Sequence, residues 1–186
     1  MTTNQSYIID EALGSRPWLK EISIIGGASV IIALFALISF RLPFSPVPIA
    51  VQAHVVLLLS CLLGSKRATL AVLTYLFQGA IGLPVFACGK TGFLHLAGPT
   101  GGYLVGYLAA AFVTGYLVER MRSRTPSKVL GAMALGNLIV YLFGVPHLSC
   151  FVGWESAFLL GMLPFLVVDT MKLVLATNVL KRLRCL

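Results

Sequence analysis

The sequence predicts an all-α integral membrane protein, a six-helix bundle with both termini in the cytoplasm (N-in/C-in). Composition carries the first part of this prediction. Of the 186 residues, 58% are hydrophobic and only 11% are charged, and the mean hydropathy is +0.94. Because soluble domains carry about 25% charged residues, a water-soluble fold is excluded. The hydrophobic residues form continuous runs without polar alternation, which predicts helices and not strands.

The chain begins with a mixed polar segment, residues 1–21, which we expect to lie in the cytoplasm. It lacks the positive start, short apolar core and small-residue cleavage site of a secretory signal. The first apolar run, residues 22–40, is long enough to cross a bilayer as a helix. It ends at a charged residue followed by three prolines: Arg41, Pro43, Pro46 and Pro48.

Five further apolar runs predict the remaining spans. They are residues 49–63, 68–81, 103–118, 129–143 and 157–179. We expect the Gly- and Pro-rich residues 82–102 to form a long outer loop, because they are too polar to span. A second loop, holding Pro146 and Trp154, separates the fifth run from the sixth. The six helices form one domain, residues 22–180, followed by a basic cytoplasmic tail, residues 181–186.

The distribution of basic residues predicts the orientation. Of the 14 Lys and Arg residues, the six-helix arrangement places eleven on one side and two, Arg41 and Lys90, on the other, while Lys172 lies inside the sixth run. Cytoplasmic loops carry the excess of Lys and Arg, so the majority side is the cytoplasm. The eleven are Arg16, Lys20, Lys66, Arg67, Arg120, Arg122, Arg124, Lys128, Lys181, Arg182 and Arg184. Because they form no continuous basic face, the net charge of +8 does not indicate a nucleic-acid partner.

Small residues recur at every fourth position from the end of the outer loop into the fourth run: Gly102, Gly106, Ala110 and Thr114. Such a flat stripe lets another helix pack closely. Packing within this bundle and contact with a partner subunit both remain open.

Cysteine and histidine spacing offers no metal or redox motif. The four cysteines lack paired spacing, so we expect free thiols, with a bridge between Cys88 and Cys150 as the alternative. The three histidines form no ligand pair at helical spacing, which argues against a metal site.

The most informative polar residues in the apolar runs are Asp169 and Lys172. An ionisable residue inside a membrane span is a functional-site candidate by default. Their spacing of i, i+3 places both side chains on one helix face, where they can pair. The alternatives are a purely structural ion pair and a Lys172 side chain that snorkels to the cytoplasmic interface.

The outer loop contains candidate groups for a ligand carboxylate. These are Lys90, His95 and the N-terminus of the fourth helix at Gly101, Gly102 and Tyr103, where free N–H groups attract anions. An ordinary surface loop is the alternative. The sequence Gly89-Lys90-Thr91 is not a nucleotide site, because Pro84 stands where a phosphate-binding loop needs its first glycine.

Four sequence elements together resemble one family. They are Leu42-Pro43-Phe44-Ser45-Pro46-Val47-Pro48-Ile49 with Gln52, Gly79-Ala80-Ile81-Gly82-Leu83-Pro84-Val85-Phe86, Gly98-Pro99-Thr100-Gly101-Gly102-Tyr103-Leu104 and Asp169-Thr170-Met171-Lys172. In order and spacing the chain resembles the BioY family, the biotin-specific S components of energy-coupling-factor transporters. The resemblance implies a multi-pass subunit of the cell (inner) membrane that captures biotin from outside. It also implies a transmembrane coupling protein and two cytoplasmic ATPases as partners, with no enzymatic activity and no cofactor beyond biotin as the transported ligand.

The chemistry of biotin suits the candidate residues. Asp169 would accept the ureido N–H groups and Lys172 would donate to the ureido carbonyl, as charge-assisted hydrogen bonds. Phe86 and Tyr103 would form the apolar wall, and Gln52 would add a polar contact. The outer-loop residue that holds the ligand carboxylate is left open among Lys90, His95 and the glycines of the fourth helix.

Four alternatives to this interpretation remain. They are an S component for another vitamin, a self-sufficient biotin transporter, an intramembrane enzyme and a structural membrane subunit. The lack of a nucleophile paired with a base counts against the enzyme.

Overall fold

The computed structural model describes residues 17–40, 43 and 45–182, and most of this part of the chain is helical. The helices are α1 (Pro17–Leu37), α2 (Gln52–Ala80), α3 (Phe93–Leu96), α4 (Gly101–Glu119), α5 (Pro126–Val152), α6 (Trp154–Gly161) and α7 (Leu163–Arg182). Two short strands, β1 (Ser39–Phe40) and β2 (Ile49–Ala50), pair in antiparallel fashion. A 3-10 turn covers Ala87–Gly89.

Several predicted features lie partly outside the described residues. They are most of the N-terminal segment 1–21, the end of the tail 181–186, and positions 41, 42 and 44 of the Pro-rich element. In the described part, α1 begins at Pro17, five residues before the predicted start of the first span. It ends at Leu37, so the chain leaves the helix before the prolines, as the sequence predicts.

Helix α2 consists of two arms that meet at Gly64. The backbone there has φ 81° and ψ 175°, a positive-φ conformation that glycine adopts without steric cost. The Gln52 side chain in the first arm lies next to that of Tyr75 in the second, which a straight 29-residue helix would place far apart. The predicted second and third spans are therefore two crossings joined at a tight turn.

Five helical stretches among the described residues are long and apolar enough to cross a membrane. They are residues 18–37, 52–80, 101–119, 126–152 and 154–182. Because the second of them reverses at Gly64, the bundle has the six membrane segments that the sequence predicts. The chain is a multi-pass membrane protein.

The prediction for the fifth span and the following loop was wrong. Helix α5 continues through Pro146 to Val152, and the chain turns at Gly153 with φ 81°. Pro146 has no N–H to donate to the carbonyl four residues earlier, that of Leu142, and membrane helices tolerate such an interruption. The predicted sixth span, 157–179, is two helices that break at Met162.

The four-residue stripe on α4 packs inside the bundle. All four of its residues are buried. A methyl group on Gly106 would approach the Cα of Val140 in α5 to 3.1 Å, and one on Gly102 would collide with His147. Contact between α4 and α5, rather than contact with a partner subunit, accounts for these small residues.

Two polar contacts bring together chain segments that the sequence assigns to the cytoplasmic side. Arg67, just after the Gly64 turn, forms an ion pair with Glu21 near the start of α1. Glu119, at the end of α4, accepts hydrogen bonds at 2.8 Å from the backbone N–H and the hydroxyl of Ser65. These segments share one end of the bundle; that this end faces the cytoplasm stays a prediction.

No disulfide joins Cys88 to Cys150. The sulfur of Cys88 lies 3.4 Å from the hydroxyl oxygen of Ser39, and that of Cys150 lies 3.6 Å from the carbonyl oxygen of Pro146. The described cysteines are thiols, as the spacing predicts.

Candidate functional site

The side chain of Asp169 is the centre of a buried polar cluster between α5 and α7. Asp169 is only 8% exposed. Asn137 donates a hydrogen bond from Nδ2 to Oδ2 of Asp169 at 3.3 Å, and the Tyr141 hydroxyl donates to the same oxygen. Asn137 and Tyr141 are one turn apart on α5, so both point to the same side of that helix.

The second carboxylate oxygen of Asp169 faces two nitrogen groups. The Lys172 Nζ lies 3.6 Å from Oδ1, and the His54 Nε2 lies 3.7 Å from it. Lys172 also donates to the carbonyl oxygen of Ala50 in β2 at 3.1 Å. The predicted pairing of Asp169 with Lys172 is therefore present, and the lysine turns towards the strand pair rather than snorkelling to the cytoplasmic interface.

Three adjoining cavities lead from this cluster to the outer loop. The innermost holds about 50 Å³ and is lined by Asp169, Asn137 and Tyr141 together with apolar groups. The middle one, also about 50 Å³, adds Gln52, Thr100 and Leu104. The outer one holds about 170 Å³ and is lined by Lys90, His95 and Cys88, among others. Neighbouring cavities share walls: Val47, Pro48, Ala50, Tyr103 and Tyr107 for the inner two, and Pro48, Ala87 and His95 for the outer two.

Several buried polar atoms have no hydrogen-bond partner among the described residues. They are Gln52 Nε2, both ring nitrogens of His54, Tyr75 Oη and Thr114 Oγ1. An unsatisfied buried polar group costs about 1–3 kcal/mol. Of these residues, Gln52 lines the middle cavity and His54 faces Asp169, so both have hydrogen bonds left to form with a ligand or water at the site.

Tyr103 and Phe86, both expected to form an apolar wall, have different positions. Tyr103 lines the inner and middle cavities, and its hydroxyl donates to the Gly161 carbonyl at 2.9 Å. Phe86 is fully buried but lines none of the three cavities. It packs edge-on against Tyr75, with 5.7 Å between ring centroids, and supports His95 from behind at 5.2 Å.

The outer-loop candidates also separate into two groups. Lys90 and His95 line the outer cavity. Gly101 and Gly102 begin α4 as predicted, but they do not line these cavities, because Leu96 and His147 pack against them. Burial, and secondarily the charge of Lys90, lower the pKa of His95 below its ordinary value.

Sequence reasoning missed three members of the polar cluster: His54, Asn137 and Tyr141. A signal existed for two of them, since Asn137 and Tyr141 stand four residues apart in an otherwise apolar run. His54 is close to Asp169 because α2 packs on α7, a contact that the sequence does not specify.

Comparison with known proteins identifies the family. The model of the BioY family matches residues 3–186. The chain belongs to the BioY family. The resemblance inferred from the four sequence elements is thus confirmed.

Individual BioY relatives agree over most of their length. A probable biotin transporter of Pyrococcus horikoshii is 36% identical over 165 residues, which cover 89% of this chain and 96% of that protein. A biotin transporter of Thermotoga maritima is 43% identical over 144 residues, 77% and 84% of the two chains. These relatives are named as transporters and not as enzymes, as the sequence leads one to expect.

A solved structure has the same fold. The crystal structure, at 2.1 Å, of the S component for biotin from an ECF-type ABC transporter superposes with a TM-score of 0.82 at 26% identity. The alignment covers 92% of this chain and 95% of that one. The helix bundle described above is therefore the fold of an S component.

Proposed function

We propose that this chain is a membrane-embedded biotin-binding subunit that captures biotin from outside and delivers it across the membrane. The observation that carries the proposal is the polar cluster at Asp169, which stands at the inner end of cavities that reach the outer loop. Membership of the BioY family, whose compared relatives are named biotin transporters, supports biotin as the ligand.

The ureido group of biotin suits the inner end of this site. A carboxylate has about four lone-pair positions, and in Asp169 the two donors from α5 occupy one oxygen, Oδ2. The other oxygen, Oδ1, is free to accept the ureido N–H groups. Lys172, 3.6 Å from Oδ1, would donate to the ureido carbonyl, and Gln52 has an unsatisfied amide for a further contact.

The rest of biotin suits the middle and outer cavities. Its ring system and aliphatic chain are apolar, and Val47, Pro48, Tyr103 and Tyr107 offer a wall of the same character. Its carboxylate is anionic, and the outer cavity contains the Lys90 ammonium and the His95 ring. We therefore assign the ligand carboxylate to Lys90 and His95 rather than to the packed glycines at the start of α4.

Binding of radiolabelled biotin to the purified protein in detergent tests the proposal. Asp169→Asn should weaken binding by about tenfold or more, because hydrogen bonds to a charged group contribute roughly 1.5–3 kcal/mol. Glu21→Gln, which removes an exposed carboxylate near the start of α1, away from the Asp169 cluster, is the matched control. If neither Asp169→Asn nor Lys172→Ala weakens binding, the site lies elsewhere in the chain.

We further propose that partner subunits supply the energy for uptake. The solved relative is named as a component of an ECF-type ABC transporter. By analogy the partners would be a transmembrane coupling protein and two cytoplasmic ATPases. A self-sufficient biotin transporter is the alternative, and reconstitution separates the two.

A further inference from the structure

The outer loop lies beside the ends of the membrane helices rather than above them. The backbone N–H of Gly92 donates to the carbonyl oxygen of Gly79 at 2.8 Å, and Gly79 belongs to the last turn of α2. At the far end of the loop, the His147 ring donates from Nε2 to the Gly98 carbonyl at 3.0 Å. His147 stands five residues, or about 8 Å at 1.5 Å per residue, before the end of α5. Helix α3, between these two anchors, is held at the level of the helix ends.

That level falls within the bilayer. The second arm of α2, residues 65–80, rises about 24 Å at 1.5 Å per residue. The hydrocarbon core of a bilayer is about 30 Å thick. An arm this short does not carry its last turn through the core, so groups beside Gly79 stand at the outer edge of the hydrocarbon.

One face of helix α3 is apolar and points away from the protein, and the opposite face points towards it. Phe93 and Leu94 are 70% and 86% exposed, whereas His95 lines the outer cavity and Leu96 packs against the core. Exposed apolar side chains also follow one face of the second arm of α2, at Leu70, Leu73 and Phe77, and Ile81 stands just beyond that helix. In a membrane protein, such a stripe is the lipid-facing surface.

We propose that Phe93 and Leu94 anchor α3 in the acyl chains of the outer leaflet, so that the segment lining the outer cavity is held from behind by lipid. Two adjacent large apolar side chains at this exposure would be unfavourable in water. Their depth beside Gly79 favours lipid as the occupant. The inference goes beyond the proposed function, because no step in it depends on the identity of the ligand.

Depth-dependent tryptophan fluorescence tests the anchor. The chain has two tryptophans, Trp18 and Trp154, which are replaced by Phe to give a silent background. Phe93→Trp or Leu94→Trp is then introduced, and the protein is reconstituted at low density in phosphatidylcholine vesicles with brominated acyl chains. In each variant the introduced tryptophan, at position 93 or 94, should be quenched by the brominated acyl chains. It should resist quenching by acrylamide, which is dissolved in the water.

Two further single-tryptophan variants calibrate the measurement. Leu34→Trp, on the exposed face of α1 three residues before that helix ends, reports lipid contact. Ser123→Trp, in the exposed loop between α4 and α5, reports water. Emission losses at 93 and 94 that match those of Leu34→Trp support the anchor. Acrylamide quenching like that of Ser123→Trp would place α3 in water and overturn it. Protection from both quenchers would overturn it as well, because protein would then cover the surface.

Discussion

The Tyr141 hydroxyl, on α5, donates a hydrogen bond to Oδ2 of Asp169 on α7. The two helices that carry this contact are separated in the chain by the break at Gly153 and a short helix, and the bond joins them inside the bundle. Because Asn137 donates to the same oxygen, one edge of the carboxylate is held by the protein. The other carboxylate oxygen, Oδ1, faces Lys172 and His54. A ligand that binds there would compete with these two side chains for Oδ1.

The first prediction concerns this hydroxyl. Tyr141→Phe removes one charge-assisted hydrogen bond but keeps the ring and its packing, so biotin binding should weaken by about tenfold, the equivalent of roughly 1.4 kcal/mol. Equilibrium binding of radiolabelled biotin measures the change. Tyr116→Phe, an exposed tyrosine on α4, is the matched control and should bind as the parent protein does. Equal affinity of the two variants would remove Tyr141 from the site.

Much of the architecture was predictable from the sequence because lipid constrains the chain strongly. Uninterrupted apolar runs must become helices in a bilayer, which defines the six spans. The i, i+3 spacing of Asp169 and Lys172 requires one helix face, and that is a local property. The continuation of α5 through Pro146 was not predictable in this way, since proline ends most helices but is tolerated inside membrane helices.

The contacts that join different helices at the polar cluster were not predictable from the sequence. Asn137 and Tyr141 reach Asp169 across the α5–α7 contact, and His54 reaches it from α2. Phe86 is apolar and aromatic, as a residue in the wall of the ligand site should be. It nevertheless packs behind His95, because the loop folds back on Gly79. Such contacts between distant segments depend on tertiary packing.

The second prediction concerns the packing of α4 on the turn of α2. A methyl group at Gly115 would stand 2.5 Å from the backbone nitrogen of Ser65 and 2.6 Å from its Cα. Gly115→Ala should therefore destabilise the protein by about 1–3 kcal/mol, since backbone must shift to relieve the overlap. A thermal melt in detergent measures this. Gly131→Ala, where nothing lies within 4 Å, should leave the midpoint unchanged or raise it slightly. Equal midpoints for the two variants would contradict the close approach.

The third prediction concerns orientation. In a background without cysteine, Thr91→Cys in the outer loop should react with an impermeant thiol reagent added to intact cells. Ser123→Cys, in the basic loop between α4 and α5, should react only after the membrane is opened. Both positions are exposed, so a difference in labelling reports the side of the membrane. The reverse pattern would contradict the placement of the eleven basic residues on the cytoplasmic side.

The last prediction concerns energy. The chain has no phosphate-binding loop, so biotin binding should be independent of ATP, while concentrative uptake should require partner subunits that hydrolyse it. Proton coupling through the membrane-buried Asp169 and His54 is the competing mechanism, because ionisable groups inside a membrane commonly form proton relays. Purified protein in vesicles without partners, given an imposed proton gradient and radiolabelled biotin, separates the two. Asp169→Asn protein in identical vesicles measures the leak. We expect no accumulation above equilibrium; accumulation that depends on Asp169 would show a self-sufficient transporter and contradict the requirement for ATPase partners.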